Sequence, residues 1–394
     1  MLERHAWRDL VAVIFTVALV GLGLGSTLPL TALVLTGRGF GPDMVGLTIA
    51  ATALGGIVGT FATPSVSARH GRTPVMLACL MLAAASVAPL QYVTSIGAWM
   101  LLRFTFGVSM AALFLISEAW INVLSSDAVR GRVVAIYTTS FTLFQVIGPL
   151  LTDGLTRFPH SAFLICGGLF LLGAPGIMVA RSNTNPAQKP ASSALRTTKE
   201  DTLSWLKILR KAPAIIAGTA FFAAFDNIVL GFLPLFAIDT GFSQTRALAA
   251  SAIVLTGDAT LQFAAGWLSD HYGRQRVHRL YGVAVCLMLP LLPVMVHLPG
   301  IWEIYLFILG GLAGAIYTLS MVATGEYFSG AALLRAAGLM GLTWNIASSA
   351  GSAATGIVMQ RFGPSTIFVV LWAMAMVFML VSKGNWHQVG AKPA

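Results

Sequence analysis

Long apolar runs alternate with short polar breaks along the chain. The runs lie near residues 10–35, 44–66, 74–92, 98–124, 133–156, 161–180, 213–238, 245–269, 277–297, 302–327, 336–360 and 365–382. A hydrocarbon core about 30 Å thick takes about 20 helical residues. The pattern therefore predicts an all-α integral membrane fold of twelve transmembrane helices. The first run follows Arg4 and Arg8 and is about twice as long as the apolar core of a cleavable signal peptide, so it is expected to remain as the first helix.

The longest polar segment divides the chain into an N-terminal six-helix bundle, residues 1–180, a cytoplasmic linker, 181–212, and a C-terminal six-helix bundle, 213–394. The linker opens as a flexible polar stretch. It ends in "EDTLSWLKILRK", where Leu203, Leu206 and Leu209 share a helical face beside Lys207, Arg210 and Lys211. That spacing suits either a helix lying at the lipid surface or an ordinary solvated helix. The two halves echo each other. "LPL" at 28–30 returns at 233–235, "GR" at 71–72 returns at 273–274, and Glu118 near the end of span four is matched by Glu326 near the end of span ten. A duplicated six-helix unit follows, and parallel repeats of that kind build transporters with a site between the halves near mid-membrane.

Composition agrees with the pattern. Hydrophobic residues make up 57% of the 394 positions, above the roughly 45–50% of soluble domains. Nineteen of the 24 Lys and Arg fall on the ends shared with the termini, Arg38, Arg157, Arg246 and Arg361 fall on the opposite ends, and Arg103 lies within a span. Because positive residues are retained on the cytoplasmic side, both termini are expected in the cytoplasm. For a bacterial protein this membrane is the inner, plasma membrane. The net charge of +10 thus reflects topology and implies no nucleic-acid partner. Cys79, Cys166 and Cys286 are separated and all intramembrane, which predicts neither a disulfide framework nor a metal site.

Several stretches resemble the major facilitator superfamily, and the resemblance covers essentially the full chain. "GWLSDHYGRQR", 266–276, is similar to the family's loop signature, with Asp270, Gly273 and Arg274 in place. The N-terminal counterpart "PSVSARHGR" keeps Gly71 and Arg72 but has Pro64 and Ala68 where Gly and Asp would stand. "RFTFGVSMA", 103–111, resembles the helix-four pattern, and "FQVIGPLLTDG", 144–154, keeps Gly148 and Pro149 of the helix-five pattern of antiporters. With "SEAWIN" and "FILGGLAGAIYTLSMVATGEY", the resemblance is nearest to the YcaD-like subgroup. It implies two pseudo-symmetric bundles, alternating access, and a cavity lined by helix seven.

An ionisable residue in a span costs about 2.5–3.5 kcal/mol on insertion scales and so requires a partner, water or a function. By rise per residue, Asp226 and Asp258 fall near the midplane and Arg103 in the outer third. Asp226 is read as a carboxyl that binds and releases a proton during transport, or as a structural hydrogen bond helped by Asn227. Asp258 either joins that site or is paired within its own half. Arg103 binds an anion, modulates a carboxyl, or ties helices together. Gln145, Asn227, Tyr317, Trp344 and Asn345 are polar or amphipathic mid-span residues, read as cavity lining or as packing. At the cytoplasmic ends Glu118 faces Arg130 and Arg132 across a short loop, and Glu326 with Arg335 repeats the arrangement. In sugar-transporting relatives a similar pattern latches the bundles, with residues like Arg72 and Arg274 taking part. The set formed by Glu118, Arg130, Arg132, Glu326, Arg335, Gly71, Arg72, Asp270, Gly273 and Arg274 is either an inner gate between the halves or a staple within each. Gly21 with Gly25, Gly55 with Gly59, and Gly310 with Gly314 have the spacing that lets helices approach closely.

No nucleotide-binding loop, cofactor motif or paired nucleophile and base is present, so an enzyme is not expected. The expectation is a monomeric secondary transporter in the lipid bilayer, moving a small organic solute by alternating access, with the proton as coupling ion and no cofactor. Proton-coupled export leads. A facilitator or symporter for a sugar or carboxylate, and a non-transporting assembly or sensor protein, are the alternatives.

Overall fold

The structure, a computed structural model, describes residues 4–124, 130–180, 205–298, 300–328 and 330–382. The described residues form sixteen α-helices: α1 (Arg4–Gly37), α2 (Pro42–His70), α3 (Arg72–Val87), α4 (Ile96–Leu124), α5 (Arg130–Thr156), α6 (Ala162–Leu171), α7 (Ala174–Val179), α8 (Trp205–Lys211), α9 (Pro213–Gly231), α10 (Leu233–Asp239), α11 (Gln244–Tyr272), α12 (Arg274–Met288), α13 (Leu292–Met295), α14 (Ile301–Tyr327), α15 (Gly330–Phe362) and α16 (Thr366–Val381). Nine spans among them are long and apolar enough to cross a membrane by length and composition. Helices α5, α15 and α16 complete the twelve passes. Helix α16 is short, at 16 residues, and α5 and α15 carry the polar side chains that face the opposite half.

Prolines mark where passes bend. The sixth pass, expected as one helix, breaks between α6 and α7 at Leu172 and Gly173, ahead of Pro175. The seventh breaks between α9 and α10 at Phe232, just before Pro234. The repeated "LPL" is therefore not repeated in conformation, because Pro29 sits inside an unbroken α1. Beside Pro29 the Ser26 carbonyl accepts from the Thr152 hydroxyl at 3.0 Å, which supplies a partner where a proline weakens the helical ladder.

The duplication is visible in backbone contacts. Gly55 of α2 lies against the Phe104 carbonyl of α4, and Gly257 of α11 against the Phe307 carbonyl of α14. In return Gly107 faces the Thr52 carbonyl, and Gly310 the Val254 carbonyl. A Cβ at any of these four glycines would overlap the facing backbone. The same helix pair is thus clasped twice, once in each half. Gly71 and Gly273, which end α2 and α11, share φ values of 86° and 87°, a region that favours glycine. Gly21 and Gly25 pack on the α5 backbone at Phe141 and Gln145.

The halves meet along two seams, α2 with α15 and α5 with α11. At the face opposite the termini, Gly46 lies on the Ser352 carbonyl and Gly356 on the Pro42 carbonyl. On the other seam the Gln244 amide donates to Thr156 Oγ1 at 2.6 Å, and Thr245 Oγ1 donates to Asp153 Oδ1 at 2.9 Å. The molecule is closed at this face. Helix α8 differs from the expected amphipathic pattern. Ile208 is the buried residue, packed with Ala212, Ile215, Ala323, Phe328, Ala336 and Met340, while Leu209 is exposed. The seven-residue helix runs directly into α9, and that junction presents Ile208 rather than Leu209 to the ends of α14 and α15. Leu203 lies outside the described residues.

Gly257→Ala is expected to destabilise the protein by about 1–3 kcal/mol through overpacking, read as a lower thermal midpoint in detergent. Gly266→Ala, on the same helix with open space around it, should leave the midpoint unchanged or raise it slightly.

Candidate functional site

Asp226 lies two turns from the break in the seventh pass, on α9, and is 8% exposed. Gln145, on α5 of the opposite half and 5% exposed, reaches it across the molecular centre. Its amide nitrogen donates to Oδ1 at 3.1 Å and to Oδ2 at 3.2 Å. The residue that places Gln145 there is Gly25, which lets α1 and α5 touch at the Gln145 backbone. A buried polar group without a partner costs about 1–3 kcal/mol; here each partner satisfies the other, and the bond joins the two halves at mid-depth.

Asn227 supports the same turn. Its amide donates to the Ala223 carbonyl and to Ser348 Oγ of α15, both at 3.0 Å, and Ser348 in turn donates to the Ala223 carbonyl at 3.1 Å. Asn227 therefore braces α9 against α15 from behind Asp226. Asp258, buried on α11, accepts from Gln262 at 2.6 Å and packs on Gly314 of α14. The structure gives each acid its own amide donor, Gln145 for Asp226 and Gln262 for Asp258.

Tyr317 and Trp344 join Phe222, a residue the sequence reading did not single out. Phe222 stacks on Tyr317 with centroids 5.3 Å apart and planes at 14°, and Trp344 meets both edge-on at 5.1 and 5.8 Å. Phe222 is one helical turn from Asp226, so α9 offers ring and carboxyl on one face. The four-residue spacing was present in the chain as a signal. Asn345 bonds back to the Gly341 carbonyl at 2.9 Å, and its Oδ1 abuts Gly56 of α2, which places it in the seam between halves.

Arg103 is elsewhere. It is fully buried within the N-terminal bundle, and its guanidinium lies 5.0 Å from the Phe106 ring centre. Among the described residues its three nitrogens have no hydrogen-bond partner. The structure does not bring it to Asp226 or Asp258.

At the ends nearer the termini, Arg274 forms an ion pair with Glu326, and a second with Asp270 at 3.5 Å. All three belong to the C-terminal half, so this cluster staples α11, α12 and α14 together. Arg335 has its own interactions, but Arg274 is the recorded partner of Glu326. In the N-terminal half Ala68 stands at the position equivalent to Asp270, and among the described residues Arg72 Nη1 is buried without a hydrogen-bond partner. Glu118 is exposed near the end of α4 and has interactions of its own. The side chains of Arg130 and Arg132 lie outside the described residues.

The opposite face carries polar residues that sequence reading missed as a site: Asp153, Thr156, Gln244 and Thr245. Next to them Arg246 pairs with Glu303 at 2.8 Å and covers the Phe242 ring at 4.6 Å. No pattern in the chain pairs α5 with α11; only the meeting of the halves does. Among the described residues no group of three or more metal-ligating side chains occurs.

Two six-helix bundles clasped by symmetric glycine contacts, closed at one face and joined by a buried polar bond at mid-depth, define a helical membrane transporter fold. The Major Facilitator Superfamily model matches residues 13–257 and 218–383, and the chain belongs to that family. It is accordingly an integral membrane protein of a secondary-transporter family rather than of an enzyme class. The chain is 24% identical over 342 residues to the YcaD MFS-type transporter of Escherichia coli strain UMN026, covering 86% of each chain, and equally to that of strain K12 DH10B. Among solved structures it is similar to the nucleoside transporter NupG (D323A mutant), with a TM-score of 0.75 at 14% identity, covering 96% of this chain and 99% of that one. A D-xylose-proton symporter matches with a TM-score of 0.74 at 16% identity over 96% and 98% of the two chains. At such identities the likeness is one of fold.

With Cys79, Cys166 and Cys286 replaced, the pair Asp153→Cys and Thr245→Cys is expected to form a disulfide on mild oxidation and to lose maleimide labelling. Two cysteines that both stay labelled after oxidation would mean that the seam is open in solution.

Proposed function

We propose that the protein is a proton-coupled exporter of a small organic solute, with Asp226 as the proton-carrying group. It works as a monomer in a bacterial inner membrane, with both termini cytoplasmic and no cofactor beyond the coupling proton. The observation that carries this reading is the bond from Gln145 to both oxygens of Asp226, because it links a titratable group directly to the contact between the halves. An ionised carboxylate makes a charge-assisted hydrogen bond, roughly twice as strong as a neutral one. With Asp226 ionised, the amide of Gln145 holds α5 to α9. Once Asp226 takes a proton, one oxygen becomes a donor and the tie is weaker, so proton occupancy changes how firmly the two halves are held together. The equilibrium between the two arrangements is then biased by proton occupancy, as a two-state transporter requires. Export is favoured over import by the excess of mid-membrane acid over base and by the retained Gly148 and Pro149. A facilitator or symporter for a sugar or carboxylate is the second reading: a facilitator would move solute without proton movement, and a symporter would move proton and solute in the same direction.

Proton flux across inside-out vesicles, followed with a pH-sensitive dye during addition of cationic, neutral and anionic solutes, tests the reading. Solute-dependent proton release is expected in the wild type and not in Asp226→Asn. Gln145→Leu, which removes the tie but keeps the carboxyl, is expected to retain binding of solute while slowing turnover. An equal response in wild type and Asp226→Asn would remove Asp226 from the mechanism.

A further inference from the structure

Phe222, Tyr317 and Trp344 come from three helices, α9, α14 and α15, and their rings touch at one place. Core aromatics commonly cluster, but this cluster has two further properties. Phe222 is one turn from Asp226 on α9, whose carboxyl accepts from Gln145 of the opposite half. Tyr317 and Trp344 are only partly buried, and Asn345, the neighbour of Trp344, reaches the opposite half at Gly56. The rings therefore stand where the two halves face each other.

The distribution of positive charge is complementary. Arg103 is held over Phe106 in the N-terminal bundle, His278 is bonded to the Ile316 carbonyl and Ser320 and covered by Phe378, and Arg279 is bonded to the Ser382 carbonyl. Among the described residues no basic side chain bonds to Asp226 or Asp258, whose recorded partners are the amides of Gln145 and Gln262. An anion placed against the ring cluster would meet carboxylates and no countercharge. A small, strongly hydrated cation would lose its water for ring faces that replace it poorly. A weakly hydrated organic cation gains from both, since ring faces attract positive charge within about 6 Å of the centroid and the carboxylate supplies the opposite charge.

We propose that this ring cluster and Asp226 together bind an organic cation with a broad apolar body, such as a quaternary ammonium or phosphonium. The assignment names the solute class for the transport reading above and rests on it. Phe222, Tyr317 and Trp344 contact the body of the cation, and Asp226 supplies its countercharge.

Equilibrium binding to the purified full chain in detergent, with labelled tetraphenylphosphonium and its isosteric anion tetraphenylborate, tests the proposal. Benzyltrimethylammonium and ethidium serve as competitors. Saturable binding of tetraphenylphosphonium, displaced by both competitors, is expected, with no saturable binding of tetraphenylborate. Asp226→Asn should abolish binding, and Trp344→Leu or Tyr317→Leu should weaken it about tenfold. If the leucine variants fail to fold by thermal melt and gel filtration, Trp344→Phe keeps the ring, weakens its face and should give a smaller loss. Equal binding of the anion, no binding of any cation in the panel, or cation binding unaffected by both the Asp226 and ring substitutions would overturn the assignment. The two readings separate cleanly. Cation binding without proton release would sink proton coupling and leave the ligand class standing, whereas proton release driven by a neutral or anionic solute without cation binding would do the reverse.

Discussion

In the hydrocarbon core no water is available to satisfy a polar group, so every backbone N–H and C=O must be bonded within its own segment. That constraint makes every pass helical, and it also governs the side chains. The hydroxyls of Thr16, Ser26, Thr27, Thr63, Thr219 and Thr324 donate to carbonyls four residues back. These bonds stay within one helix, although Thr324 Oγ1 also reaches Met340 Sδ of α15 and Ser26 Oγ accepts from the Cys166 thiol of α6. Helix packing is then left to small residues, and the glycines of α2, α4, α11 and α14 bring backbones into direct contact. Because those contacts occur in equivalent positions of the two halves, each bundle is a stiff unit.

Against that background the polar groups that do reach between helices stand out. Gln145 with Asp226 crosses the centre, and Asp153, Thr156, Gln244 and Thr245 close one face. Both sets join one half to the other, and both are hydrogen bonds rather than interlocked apolar surface. A packed core resists rearrangement because its density leaves no intermediate positions. A contact of few directional bonds between stiff bodies can be broken and remade. Glycine clasps hold each bundle together, while the bundles are joined by these polar ties and by the glycine contacts of the α2–α15 seam.

The charges at the ends nearer the termini show how one motif can serve two halves unequally. In the C-terminal half Arg274 engages both Glu326 and Asp270, fixing three helices. In the N-terminal half Ala68 stands in the acid's place, so Arg72 has no counterpart of Asp270 one helical turn before it. Sequence reading recognised the missing acid but could not tell whether the surviving pairs lay within a half or across it.

Much of the architecture was legible in the chain. Twelve apolar runs, the alternation of basic loops and the offset between repeats follow from bilayer thickness and charge retention, which act on local segments. Asp226, Asp258 and Gln145 stood out because a polar residue at mid-membrane is costly wherever it is. What each of them touches was not legible. That Gln145 reaches Asp226, that Phe222 completes the ring cluster, that Arg103 is turned into its own bundle, and that α5 meets α11 at one face all depend on how separate helices rotate and cross. Those rotations are set by contacts between residues far apart in the chain, so only the tertiary structure decides them.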